Sequence, residues 1–88
     1  MKVEFLARFD KDLDEISDRR VLDALAELIE PLEVAQNLSD LPNVKKMVGF
    51  RDAFRFRIGQ YRIGVFLKGS TVEFARIAHR KDIYQLFP

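Results

Sequence analysis

The sequence predicts an α+β domain of order β-α-α-β-β-β with a short C-terminal helical segment, the helical pair packed on one face of an antiparallel sheet. Three observations carry this. Apolar residues recur at helical spacing up to about residue 34 and at a spacing of two from Phe54 onward. The turn-rich run Asn37 to Asn43 (NLSDLPN) separates the two regimes. Two dipeptides with glycine first, Gly59-Gln60 and Gly69-Ser70, punctuate the second regime as two-residue hairpin loops. The 88 residues fit a single domain, 1–88, with one modest core.

Lys2 to Ala7 alternates, with Val3, Phe5 and Ala7 on one side, and is predicted as the first strand. Asp10 is the expected cap of a short helix in which Phe9, Leu13 and Ile16 share a face. Asp18 caps a longer one, whose stripe is Val21, Leu22, Leu25, Leu28, Ile29 and Leu32, with Asp23, Glu27, Glu30 and Glu33 on the wet side. Pro31 removes a backbone donor, so a kink or restart is expected there. Strands follow at Phe54–Ile58, Tyr61–Leu67 and Thr71–Ala78.

Composition narrows the function classes. The chain has no cysteine, which excludes a disulfide framework and a thiolate zinc site. Its single histidine, His79, excludes a multi-histidine metal centre within one chain, and no metal or cofactor is expected. No apolar run is long enough for a signal peptide or a membrane span, so a cytoplasmic protein without membrane contact is expected. The net charge of +1 conceals two poles: residues 1–40 carry five basic and eleven acidic side chains, a balance of −6, and residues 41–88 carry ten and three, a balance of +7. Such asymmetry points either to a polyanion partner or to two sets that pair across the fold.

With Gly59-Gln60 as the loop, Arg57 faces Arg62 on the same side of the sheet as Arg55. Like charges opposite one another destabilise an antiparallel pair, a cost that an anion between them reverses. Gly64 falls opposite Arg55 and leaves space for a ligand over the sheet. The other face carries Phe54, Phe56, Ile58, Ile63 and Val65, suited to burial under the helices. Arg76 is the misfit. The simple register sets it against Ile63, so a bulge or a helix acid must accommodate it. At the C-terminus, a helical turn over Arg80 to Tyr84 sets those two side chains on one face, with Ile83, Leu86 and Phe87 as anchors.

FRFRIGQYRIG (54–64), followed by VEFARIAHRKDIY (72–84), resembles the core of the RelE/ParE superfamily of type II toxin–antitoxin toxins, and KKMVG (45–49) resembles the lysine-rich stretch leading into it. The helical pair and strand order are similar too, so the resemblance covers nearly the whole chain. In the RelE-like branch it implies an endoribonuclease that cleaves mRNA in the ribosomal 30S A site without metal. There the 2′-hydroxyl attacks the adjacent phosphodiester and leaves a 2′,3′-cyclic phosphate. Carried over by motif, Arg55 and Arg57 match the paired basic residues of the first hairpin strand, Arg62 the arginine of the YR element, and Arg80 and Tyr84 the basic and tyrosine positions of the tail. The candidate catalytic set is Arg62, Arg80, Tyr84 and His79; the candidate RNA-binding set is Arg55, Arg57, Lys45, Lys46 and Lys81. Arginines stand at 55 and 57, where the family often has lysines. Arginine is effectively never deprotonated, so the base is Tyr84 or His79. The resemblance also implies a cognate antitoxin that wraps the toxin and blocks the basic face. Two alternatives accompany it: a ParE-like inhibitor of DNA gyrase without nuclease chemistry, and an inactive nucleic-acid or antitoxin-binding module.

Overall fold

The computed structural model describes residues 1–88. Its order is β1 (Lys2–Phe5), α1 (Ala7–Asp14), α2 (Arg19–Val34), a 3-10 turn (Leu38–Asp40), β2 (Val44–Lys46), β3 (Ala53–Ile58), β4 (Tyr61–Lys68), β5 (Thr71–His79) and α3 (Ile83–Leu86). The α+β class holds. The sheet has five strands in the order β1-β5-β4-β3-β2, antiparallel except for β1, which runs parallel to β5. Two details therefore differ from expectation: the sheet is mixed, and Val44–Lys46 forms an additional edge strand. Three residues, two of them lysine, are too short to show an alternating pattern.

The first helix starts earlier than predicted. Leu6 donates its N–H to Phe74 O (3.0 Å), ending the strand, and its own carbonyl accepts from Asp10 N–H (3.1 Å). Asp10 is thus inside the first turn, where a carboxylate suits the positive end of the helix, and is not the cap. Asp18 does cap α2, accepting from Arg20 N–H at 3.0 Å. Pro31 does not end α2, which continues to Val34 with Ala35 N–H still reaching Pro31 O (3.1 Å). Proline deprives only the Glu27 carbonyl of its donor, and Glu27 lies on the exposed side.

The helices cover one sheet face. Phe9, Val21, Leu25, Leu32 and Leu38 pack on Phe56, Ile63, Val65, Val72, Phe74 and Ile77. On the other face a smaller cluster of Ala53, Ala75, Ile83 and Phe87 is built by the C-terminal tail folding back.

Arg76 is resolved by a bulge and an acid together. The β4–β5 register jumps from Gly64↔Arg76 to Val65↔Phe74, so Ala75 is the extra residue and Ile77, not Arg76, faces Ile63. Pairing of β1 with β5 stops at Phe74, which leaves the outer edge of β5 open beyond it. Asp12 of α1 fills that gap. Its Oδ2 accepts from Ile77 N–H (3.0 Å) and Arg76 Nε (2.7 Å), and its Oδ1 from Arg76 Nη2 (3.0 Å). The bidentate pair, with side chains only 15% and 16% exposed, holds the Arg76 guanidinium above its ordinary pKa.

Asp12→Ala strands a shielded guanidinium and a strand N–H, and urea denaturation should show a loss of about 3 kcal/mol. Phe87→Ala should cost about 3 kcal/mol. Gly64→Ala, whose added Cβ would lie under 3.0 Å from the Phe87 ring, should cost about 2 kcal/mol. Because both act on one contact, the double variant should lose clearly less than the sum in a denaturation cycle.

Candidate nucleic-acid interface

The β3–β4 hairpin has the predicted register: Ile58↔Tyr61, Arg57↔Arg62 and Arg55↔Gly64. Its loop has positive φ at Gly59 (56°) and not at Gln60, as a II′ turn requires. Pairing of β2 with β3 adds Lys45 opposite Arg55. Period-two alternation then puts Lys45, Arg55, Arg57 and Arg62 on one face, away from the helices.

The three arginines are each held differently. Arg62 Nη1 donates to Gly59 O (2.9 Å) and Tyr61 O (3.0 Å). Arg57 donates its N–H to Asn43 O (2.9 Å) and its Nη2 to Asn43 Oδ1 (3.1 Å). The Arg55 guanidinium lies 4.9 Å from the centroid of the Tyr84 ring. None of the four has a carboxylate partner. The ion pairs are Lys2–Glu4, Arg19–Asp23, Arg20–Asp18, Lys68–Asp52 and Arg76–Asp12, and only the last joins the acidic half of the chain to the basic half. The two poles are therefore not neutralised by pairing across the fold. Partial burial, reinforced by the charges of Arg55, Arg57 and Arg80 and opposed by Tyr84, holds Arg62 below its ordinary pKa. An anion here relieves repulsion while the guanidiniums stay charged.

The tail brings Tyr84 to this face by a route the sequence did not indicate. Helix α3 starts at Ile83, and Arg80 to Asp82 form a turn, so Arg80 and Tyr84 do not share a helical face. Arg80 N–H instead donates to Gln60 O (2.8 Å) and fastens the tail to the hairpin loop. Ile83 and Phe87 are buried, whereas Tyr84 is 72% exposed. The space expected over Gly64 is not open to a ligand: the Phe87 ring fills it, packed also against Phe66 at 5.0 Å.

Three predicted residues lie elsewhere. His79 pairs with Tyr61, their rings 5.8 Å apart, and shares the helix-side face with Ile77; its Nδ1 accepts from Lys81 N–H (3.2 Å). The sheet separates it from the arginines. Lys46 pairs with Phe54 and donates to the carbonyls of Phe50 (2.8 Å) and Arg51 (3.0 Å), bracing the loop before β3. Lys81 sits in the exposed turn, where its backbone N–H is the group engaged, by His79 Nδ1. The residue that sequence reasoning missed is Asn43. It falls in the recognised NLSDLPN turn, and its left-handed φ of 63° is a conformation that asparagine tolerates, but nothing local couples it to Arg57.

A cleft of about 280 Å³ opens on this face, lined by Asn43, Val44, Lys45, Arg55, Arg57 and Arg62. A larger one of about 430 Å³ lies between α2 and the end of β3, with Ala24, Leu28, Pro31, Leu41 and Ile58 among its walls. No group of three or more His, Cys, Asp or Glu is placed to hold a metal ion. No helix is long and apolar enough to cross a membrane.

Comparison with known proteins gives four relevant likenesses. Residues 3–84 match the family described as the ParE toxin of the type II toxin–antitoxin system parDE. Over its full length the chain is 38% identical to the full length of Toxin RelE3 of Methanocaldococcus jannaschii. Among solved structures, a RelB–RelE antitoxin–toxin complex from Methanococcus jannaschii contains a chain similar at TM-score 0.81 and 33% identity, covering 97% of this chain and 99% of that one. An archaeal RelE–RelB complex from Pyrococcus horikoshii OT3 shares the fold at TM-score 0.72 and 19% identity, covering 90% of this chain and 93% of that one.

Cations without acidic partners predict a steep salt response. Binding of a short single-stranded RNA should weaken with a log–log slope of about −0.7 per phosphate held, so about −2 to −3 for this face. Arg57→Ala should bring the slope about 0.7 closer to zero in a fluorescence-anisotropy titration, whereas Lys81→Ala should leave it unchanged.

Proposed function

This chain belongs to the RelE/ParE superfamily of type II toxin–antitoxin toxins, and on that premise we propose that it is an endoribonuclease toxin that cuts messenger RNA at the ribosome, held in check by a cognate antitoxin covering the same face. The observation that carries the reading is the row Lys45, Arg55, Arg57 and Arg62, free of carboxylate partners, with the exposed Tyr84 ring laid over Arg55.

Cleavage by the messenger's own 2′-hydroxyl balances without water or metal. The hydroxyl proton leaves to a base, the 2′-oxygen bonds to phosphorus, the bond from phosphorus to the 5′-oxygen breaks, and that oxygen takes a proton. The products are a 2′,3′-cyclic phosphate and a 5′-hydroxyl. Negative charge grows on the phosphoryl oxygens in between, and preorganised donors stabilise it. Arg62, fixed by two backbone carbonyls, and Arg57, fixed by Asn43, fit that task because neither must reorient as charge develops. Arg80, which shares the field on Arg62, adds to the cation set. Proton exchange falls to Tyr84. The guanidiniums keep their protons, and His79, the other candidate, lies across the sheet. The stacked pair of Tyr84 and Arg55 also offers an aromatic surface to an unstacked base.

The ParE description of the matching family makes gyrase poisoning the alternative. Expression without antitoxin should arrest translation. Primer extension on cellular messengers should then show cuts inside translated codons. Arg62→Ala and Tyr84→Phe should each lower the cutting rate about 100-fold or more and relieve the arrest, while His79→Ala should have little effect. Intact messenger accompanied by gyrase-linked DNA breaks would assign the chain to the alternative.

A further inference from the structure

We propose that Asn43 reads the nucleobase beside the cut at purine C6 or pyrimidine C4, favouring a base with a carbonyl oxygen there (guanine or uracil) over one with an amino group there (adenine or cytosine). The inference rests on the RNA-cleaving reading above and supplies its specificity. Asn43 is the one non-glycine residue with positive φ, and two bonds hold it: its carbonyl accepts from Arg57 N–H at 2.9 Å and its Oδ1 from Arg57 Nη2 at 3.1 Å. A guanidinium only donates, so the amide atom on Arg57 must be the oxygen. The amide orientation is thereby fixed, and Nδ2 becomes the free end of an exposed side chain.

The cleft that Asn43 lines is otherwise walled by Val44, Lys45, Arg55, Arg57 and Arg62. Every side-chain hydrogen-bonding group there that is not already engaged is a donor. A base carbonyl brought into the cleft finds partners, whereas an amino group meets donors and leaves both sides unpaired. Lysine and arginine also serve phosphate, which every nucleotide carries. The neutral amide adds little to that and discriminates by hydrogen-bond polarity alone.

The test uses ribosomes programmed with messengers that differ in single bases of the A-site codon, treated with the purified protein, with kcat/KM measured for each. The wild type should cut about tenfold faster, or more, when the base at one position flanking the cut is guanine or uracil. Asn43→Gly keeps the left-handed backbone without steric cost and removes the amide, so the four rates should converge. Asn43→Asp keeps an oxygen on Arg57 and presents a second oxygen as acceptor, so the preference should move toward adenine and cytosine. Thermal melts of both variants establish that they are folded. A carbonyl-base preference that survives Asn43→Gly overturns the inference, whatever the common loss of rate from freeing Arg57 of its Asn43 anchor. Failure of the wild type to cut any of the messengers defeats the nuclease reading itself and takes this inference with it.

Discussion

The ring of Phe87 lies over Gly64, and the rest of the basic face depends on that contact. Any side chain at 64 would collide with the ring, so the glycine opposite Arg55 is a seat for the chain's own tail. Once Phe87 is seated and Ile83 is buried beside it, the single turn of α3 has no freedom to move, and Tyr84 is carried over Arg55. A helix of four residues has almost no stability of its own. Burial of its two apolar anchors therefore supplies the order that helix propensity cannot.

Against that fixed aromatic edge, the hairpin tolerates an arrangement that sheets ordinarily avoid. Arg57 faces Arg62 and Lys45 faces Arg55, each a like-charge pair across strands. The repulsion is not relieved by acids, since the −6 pole lies in the helical half and sends only Asp12 across the fold, to Arg76 at the opposite edge of the sheet. What restrains the cations is backbone and amide oxygen: Gly59 and Tyr61 for Arg62, Asn43 for Arg57. Such partners orient a guanidinium without neutralising it, which leaves its charge available to a polyanion. Such a sheet is less stable than one with mixed charges across the same strands.

Much of this was legible in the sequence, for identifiable reasons. Period-two alternation and a glycine-first loop fixed the Arg57–Arg62 pairing, because a hairpin register follows from loop length alone. The misfit of Arg76 was visible as a charge on an apolar face, and both expected remedies, a bulge and the helix acid Asp12, are present. Two of the errors share a cause. The vacancy inferred over Gly64 and the helical pairing of Arg80 with Tyr84 both depend on where the tail folds, and that is decided by the contact of Phe87 with Gly64, more than 20 residues away. The face of His79 follows instead from the β4–β5 register, which the bulge at Ala75 shifts so that His79 pairs with Tyr61. Asn43 was hidden because its partner Arg57 lies 14 residues away on β3, beyond the reach of a local pattern.

The central claim is that this face cleaves RNA through the RNA's own 2′-hydroxyl. The chemistry of the new ends tests it most directly. Messenger fragments produced by the purified protein on translating ribosomes should carry a 2′,3′-cyclic phosphate on one side of the cut and a 5′-hydroxyl on the other. Ends bearing a 3′-hydroxyl and a 5′-phosphate, the signature of water attacking from the opposite side, would contradict the account.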